Sequence, residues 1–174
     1  MTTQDEAVAR PVPGQAVVDE ILRLGIEYVI TVPDSVQRTV LELLAQLEKP
    51  RLLTVCTEDE AMGVNAGLYA GGVNAMLCIQ NNGVLASLNA IKAITLDAQA
   101  PTLMLVGQFG RDVRLPASES RNRAVRLLAP TLEAWDVPHY PLEGPEDIGN
   151  IAAAFERAHR DSGPAAVIIG APTS

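Results

Sequence analysis

Residues 75–79 read Ala-Met-Leu-Cys-Ile, an apolar run with no polar interruption. A strand with one wet face alternates polar and apolar side chains. A run that is apolar throughout reads instead as a central strand of a parallel sheet, covered on both faces. Residues 103–106 (Leu-Met-Leu-Val) and 166–169 (Ala-Val-Ile-Ile) have the same character. Between such runs lie stretches of helical spacing; in one of them Val40, Leu41, Leu44 and Leu47 form a single apolar stripe. The spacing predicts helices over 14–24, 35–48, 58–71, 84–96, 119–134 and 146–161. Strands are predicted over 27–32, 52–56, 75–79, 103–106, 137–140 and 166–169. Gly25 is expected to cap the first helix at its C-terminal end. Strands alternating with helices imply an α/β fold: a three-layer, doubly wound, mostly parallel six-stranded sheet with helices on both faces.

The chain of 174 residues has the length of one ordinary domain, expected over 14–174. Residues 1–13, polar and carrying two prolines, are expected to form a flexible arm. The composition is 48% hydrophobic but only 3% aromatic, so the core must be aliphatic and alanine-rich. A net charge of −8 argues against nucleic acid as a partner. Cys56 and Cys78 both fall in predicted strands and read as buried free thiols. No signal peptide or long apolar run is visible, so a soluble, cytoplasmic protein with no membrane association is expected. No Gly-x-Gly-x-x-Gly follows a strand, which removes the usual nicotinamide-binding loop. Cys78 lies mid-strand with no histidine placed to activate it, which disfavours a cysteine hydrolase.

In a doubly wound sheet the loops at the carboxyl ends of the strands gather along one functional edge. Four segments land there: Pro33-Asp34-Ser35, Thr57-Glu58, Gln80-Asn81-Asn82-Gly83, and the loop from Gly107 to Arg114. Each has a plain local reading. Thr57 and Glu60 have capping-box spacing, with Glu58 and Asp59 favouring the dipole of the first turn. Asp34 and Ser35 read as an N-cap for the helix over 35–48. Asn81, Asn82 and Gly83 read as turn and cap residues, although neutral amides and backbone N–H groups there can also hold a carboxylate or oxyanion. The helix after Glu58 is rich in small residues (Ala61, Gly63, Ala66, Gly67, Ala70, Gly71, Gly72), so another surface can pack close to it.

Three of these segments together resemble the pyrimidine-binding domain of thiamine diphosphate enzymes, most closely the sulfopyruvate and phosphonopyruvate decarboxylase group. The likeness is carried by Glu58 with Ala66-Gly67 following, by Gln80-Asn81-Asn82-Gly83-Val84 through Asn89, and by Val32-Pro33-Asp34-Ser35. It runs from about residue 14 to residue 174. The resemblance implies that Glu58 is the catalytic carboxyl group, hydrogen-bonded to N1′ of the cofactor's aminopyrimidine. It implies cofactor contacts from Glu58, Pro33, Asn81 and Gly83. It suggests substrate contacts from Asp34, Ser35, Gln80, Asn81, Asn82, Gln108, Phe109 and Arg111.

The family's Gly-His-Arg-Gly loop reads Gly107-Gln108-Phe109-Gly110 here. A proton carrier and a cation are replaced by an amide and an aromatic ring, which suits an apolar 2-oxo acid better than a sulfonate. Arg111 and Arg114 could restore anion binding or could simply be solvated loop residues. Thiamine diphosphate enzymes hold Mg²⁺ through a Gly-Asp-Gly motif, and this sequence contains none. The resemblance therefore implies an alpha-type subunit with no metal ligand of its own. Mg²⁺ and the diphosphate would be held by a beta-type partner subunit in a hetero-oligomer of two chains of each kind or larger. The implied activity is non-oxidative decarboxylation of a small 2-oxo acid to an aldehyde. A hydroxyketone-forming carboligase on the same scaffold and a non-catalytic flavodoxin-like regulatory domain are the alternatives.

Overall fold

In the computed structural model, which describes residues 8–174, the apolar runs assemble into one six-stranded sheet. The strands are β1 (Tyr28–Thr31), β2 (Arg51–Thr54), β3 (Ala75–Gln80), β4 (Thr102–Gly107), β5 (His139–Leu142) and β6 (Pro164–Ile169). Their order is β2-β1-β3-β4-β6-β5, and every neighbouring pair is parallel. The helices are α1 (Gly14–Arg23), α2 (Arg38–Leu44), α3 (Glu58–Ala70), α4 (Asn81–Ala86), α5 (Leu88–Ala90), α6 (Arg123–Ala134) and α7 (Asn150–Asp161). The expected three-layer α/β architecture is therefore present, with a sheet that is parallel throughout.

Burial explains the apolar runs. Met76 and Cys78 of β3, Leu103 and Leu105 of β4, and Ala165, Val167 and Ile169 of β6 point into one core, with Val17, Ile21, Val40 and Ala154 from α1, α2 and α7. The alternate residues Leu77, Ile79, Met104, Val106, Ala166 and Ile168 point into a second core, with Ala61, Met62, Leu128 and Leu132 from α3 and α6. Each central strand is buried on both faces, so both parities of side chain are apolar, except at strand ends where a hydroxyl such as that of Thr102 finds a partner. The edge strand β2 has one neighbour, and Leu53 remains 37% exposed there.

Several boundaries differ from expectation. The helix predicted over 84–96 starts three residues earlier, at Asn81, directly on the end of β3. It then breaks at Ser87, and Ile91–Asp97 forms a π-helix. Thr95 Oγ1 donates to the Ile91 carbonyl at 2.6 Å, a local bond that competes with the regular ladder. The helix predicted over 119–134 is a 3₁₀ turn, Ala117–Glu119, followed by α6, which starts only where Asn122 Oδ1 accepts from Ala124 N. The helix predicted over 146–161 likewise splits into a 3₁₀ turn, Pro145–Asp147, and α7. Gly25 does follow the first helix in the left-handed conformation, φ 67°. β2 ends at Thr54, so Cys56 lies beyond the strand and is exposed, against the expectation of a buried thiol; Cys78 is buried.

Of the expected arm, residues 1–7 lie outside the described residues. Residues 8–13 are laid down on the domain: Ala9 N donates to Val113 O at 3.0 Å, Arg10 N to Glu143 O at 2.6 Å, and Ser174 N to Val12 O at 3.1 Å. Ala9 and Val12 are buried, which gives this polar-looking stretch two apolar anchors. Among the described residues, no helix is long and apolar enough to cross a membrane.

Candidate functional site

The chain crosses from β1 to β2 on one side and from β2 back to β3 on the other, so the strand order reverses between β1 and β3. The loops leaving those two strands diverge and leave a crevice at the carboxyl edge. Asp34 and Gln80 meet across it.

Asp34 follows β1 and is only 2% exposed. It does not cap α2, whose N-cap is Gln37. Instead its Oδ1 accepts from Val36 N at 3.0 Å and from Gln80 Nε2 at 3.4 Å, and its Oδ2 accepts from Gln37 Nε2 at 3.1 Å. Burial pushes the Asp34 carboxyl above its usual range, and these three hydrogen bonds oppose the shift. Gly107 makes room for it, because a Cβ there would overlap Asp34 Oδ2. Pro33 and Ser35 on either side are exposed. An apolar cleft of about 360 Å³ opens beside them, lined also by Leu41 of α2 and by Ala45 just after it, with the Arg38–Glu42 ion pair along it. Cys78, beneath in β3, has its thiol pushed far up by burial and by the Asp34 charge, so it is inert.

Glu58 is the first residue of α3. Only half of the capping box forms as spaced: Thr57 Oγ1 accepts from Glu60 N at 3.4 Å, while Glu60 Oε2 accepts not from the N-cap Thr57 but from Cys56 N, one residue earlier, at 2.8 Å. Glu60 and Thr57 are thereby committed to the helix end, and Glu58 is not. Its carboxyl group lies directly over Gly83 of α4, where a Cβ would overlap it. It is half-buried, and no hydrogen bond to it forms among the described residues.

Residues 80–83 link the parts of this edge. Gln80 reaches Asp34, Gly83 lies under Glu58, and the fully buried Asn81 donates from Nδ2 to the Phe109 carbonyl at 3.3 Å. Asn82 is exposed and donates from Nδ2 to Gln80 Oε1 at 2.9 Å. Asn81 and Asn82 stand in the first turn of α4, with Asn81 Oδ1 accepting from Asn82 N.

The loop after β4 divides into two parts. Phe109 is 49% exposed, with its carbonyl held by Asn81 and by Asn122 Nδ2. Gln108 is buried. Arg111 is not a solvated loop residue: its side chain is 2% exposed, and Nη1 donates to Glu143 Oε1 at 2.7 Å and to Gln108 Oε1 at 2.6 Å. Arg114 is exposed and pairs with Asp112 at 2.7 Å, which holds the Asp112 carboxyl down at about 2. The histidines stand apart from these residues. His159 packs on Phe155, with ring centroids 4.3 Å apart, and burial lowers its pKa.

Sequence reasoning missed Gln37 and Glu143, and gave Gly107 a place on the edge but no role. Gln37 is fully buried under the crevice, Gly107 admits Asp34, and Glu143 neutralises Arg111. None carries a local signal, because each role depends on a residue from a distant segment.

No protein-family model matches the chain. Comparison with characterised proteins finds the sulfopyruvate decarboxylase subunit alpha of Methanocaldococcus jannaschii, 28% identical over 125 residues, 71% of this chain and 72% of the relative. The same subunit of Methanococcus maripaludis is 28% identical over 134 residues, 76% of this chain and 78% of the relative. That of Methanothermobacter thermautotrophicus is 29% identical over 129 residues, 73% and 78%. The chain is similar to sulfopyruvate decarboxylase alpha subunits. The resemblance carried by three short motifs therefore extends over some three quarters of the chain.

Proposed function

We infer that the chain is the alpha-type subunit of a thiamine diphosphate-dependent 2-oxo acid decarboxylase, with Glu58 as its catalytic carboxyl group. The observation that carries this reading is the Glu58 carboxyl itself. It is half-buried at the carboxyl edge, lies over a glycine that admits it, and is uncommitted to any partner among the described residues. A helix-capping acid would be spent on backbone N–H groups, and in this helix Glu60 and Thr57 do that work. The relatives are named as alpha subunits of a decarboxylase, which supports both the reaction class and a partner chain.

The donor set suits one half of the cofactor. An uncommitted carboxyl can share a proton with a weakly basic ring nitrogen, and Pro33, Asn81 and Gly83 border the same edge. When bound, thiamine diphosphate would stabilise the carbanion left when a 2-oxo acid loses carbon dioxide. Glu58 would hold the proton at the pyrimidine ring. The exposed Phe109 ring and the apolar cleft beside Pro33 would receive an uncharged substrate side chain, and Asp34, Ser35, Gln80 and Asn82 would border it. Arg111, already neutralised by Glu143, is poorly suited to bind a sulfonate. Mg²⁺ and the diphosphate would be held by a beta-type subunit, in keeping with the relatives' being named alpha subunits. The outer face of α3 suits that partner: Gly63 and Gly67 have open space where a side chain would stand.

Calorimetric titration of thiamine diphosphate with Mg²⁺ tests the reading, using the chain alone and co-purified with a neighbouring-gene chain that bears Gly-Asp-Gly. Tight binding is expected only in the complex, with turnover of a 2-oxo acid that falls at least about a hundredfold in Glu58→Gln. Absence of binding in both samples would refute it.

A further inference from the structure

Four side chains form an unbroken hydrogen-bonded chain from the core to the open edge: Gln37, Asp34, Gln80 and Asn82. Its inner end cannot turn over. Gln37 is fully buried, and its Nε2 faces three acceptors: Ile79 O at 3.0 Å, Leu105 O at 3.1 Å and Asp34 Oδ2 at 3.1 Å. A rotated amide would set its oxygen against all three. The present orientation leaves Gln37 Oε1 buried without a partner, and it persists because the alternative is worse.

The orientation then propagates outward. An ionised carboxylate is acceptor-only. Asp34 receives N–H groups from Val36, Gln37 and Gln80, so the nitrogen of Gln80 must face inward. The Gln80 oxygen therefore faces Asn82, which answers with Nδ2 and keeps Oδ1 on its far, exposed side. Asparagine at position 34 could not serve all three donors, because one of its two terminal atoms would itself be a donor.

The geometry points to Asp34 as a positioning residue that sets the direction of the Gln80 and Asn82 amides, so that this corner of the crevice offers an acceptor oxygen to a hydrogen-bond donor of the ligand and not a donor to a carboxylate. The inference rests on the proposed function only in taking the crevice as ligand-facing. It differs from the simpler expectation that the neutral side-chain amides after β3 would hold an anion.

Side-chain amide NMR on the ¹⁵N-labelled full chain, without cofactor, tests the inference. In the wild type the Gln80 amide protons should exchange slowly and show cross-relaxation to the Val36 amide proton. In Asp34→Leu, which leaves the Gln80 nitrogen no acceptor, the Gln80 and Asn82 amides should lose their fixed direction; asparagine would not test this, because Val36 and Gln80 donate to the same Asp34 oxygen. Cross-relaxation between Gln80 and Val36 should then vanish, and Gln80 side-chain exchange should quicken by roughly tenfold or more. A purely structural role would lower stability and leave the Gln80 amide facing inward. Unchanged cross-relaxation in the variant would overturn the inference. Should Asp34→Leu not fold, the wild-type spectrum decides alone: a Gln80 amide whose protons face Asn82 overturns it. Because no cofactor is present, failure of thiamine binding leaves this outcome readable.

Discussion

At the scale of single residues, the edge depends on two glycines that admit two carboxyl groups. Gly83 leaves space for Glu58, and Gly107 leaves space for Asp34. In Gly83→Ala the new methyl must displace the Glu58 carboxyl from α4. The expected cost is about 1–3 kcal/mol of stability, and cofactor affinity in the complex should fall with it. Chemical denaturation and calorimetry on the same samples check both effects. Asp34 makes a separate prediction through pH. Its folded-state pKa is raised by burial, so its contribution to stability is full below the unfolded value and is lost as pH rises through the folded one. The stability of wild type relative to Asp34→Asn should therefore decline from about pH 3 toward neutrality. Urea denaturation in a pH series reads the slope, and a rise would contradict the assignment.

At the scale of elements, what the sequence reveals and what it hides can be separated. The apolar runs are legible because a strand buried on two faces leaves no choice of side chain: Leu77 and Cys78 point into different cores yet are equally buried. The cap at Thr57 is legible because its bonds, from Glu60 N to Thr57 and from Cys56 N to Glu60, are local. Removing it with Thr57→Ala should destabilise the chain by about 1 kcal/mol while leaving the Glu58 carboxyl over Gly83. A fall in melting temperature with unchanged cofactor affinity in the complex is the expected result. The start of α4 is not legible. Asn81 and Asn82 look like loop residues, but Asn81 is buried and bonded to the carbonyl of Phe109, 28 residues away. The helix predicted over 119–134 begins later in the structure because Ser120 is buried outside the helix and Asn122 caps it.

At the scale of the whole molecule, distant segments converge on one ion pair. Arg111 in the loop after β4 meets Glu143 at the end of β5, and the backbone of Arg10 bonds the Glu143 carbonyl. Ala9 bonds Val113 in the same loop, so residues 8–13 strap the loop down. A fully buried charge deprived of its partner costs about 3–5 kcal/mol; Arg111→Met strands Glu143, whose side chain is 29% exposed, and should lower stability by less, about 1–3 kcal/mol. Glu143→Gln in the same background should recover part of the loss, because it removes the stranded carboxylate. A double-mutant cycle by chemical denaturation measures both values; simple additivity would mean that the pair does not act as a unit.

What the sequence determined by itself is whatever follows from short-range periodicity and local chemistry. That covers the α/β class, the positions of the six strands, the cap at Thr57, and the arrival of Asp34, Glu58 and Gln80 at one edge. What only the tertiary structure decided is how those residues are used. Whether a carboxyl is spent on its own helix or left free, whether an arginine is solvated or neutralised, and which way an amide faces all depend on partners brought in from elsewhere in the chain. Glu58 is left free because Gly83 lies under it, Arg111 is neutralised because Glu143, just after β5, reaches it, and Gln80 faces inward because Asp34 can only accept.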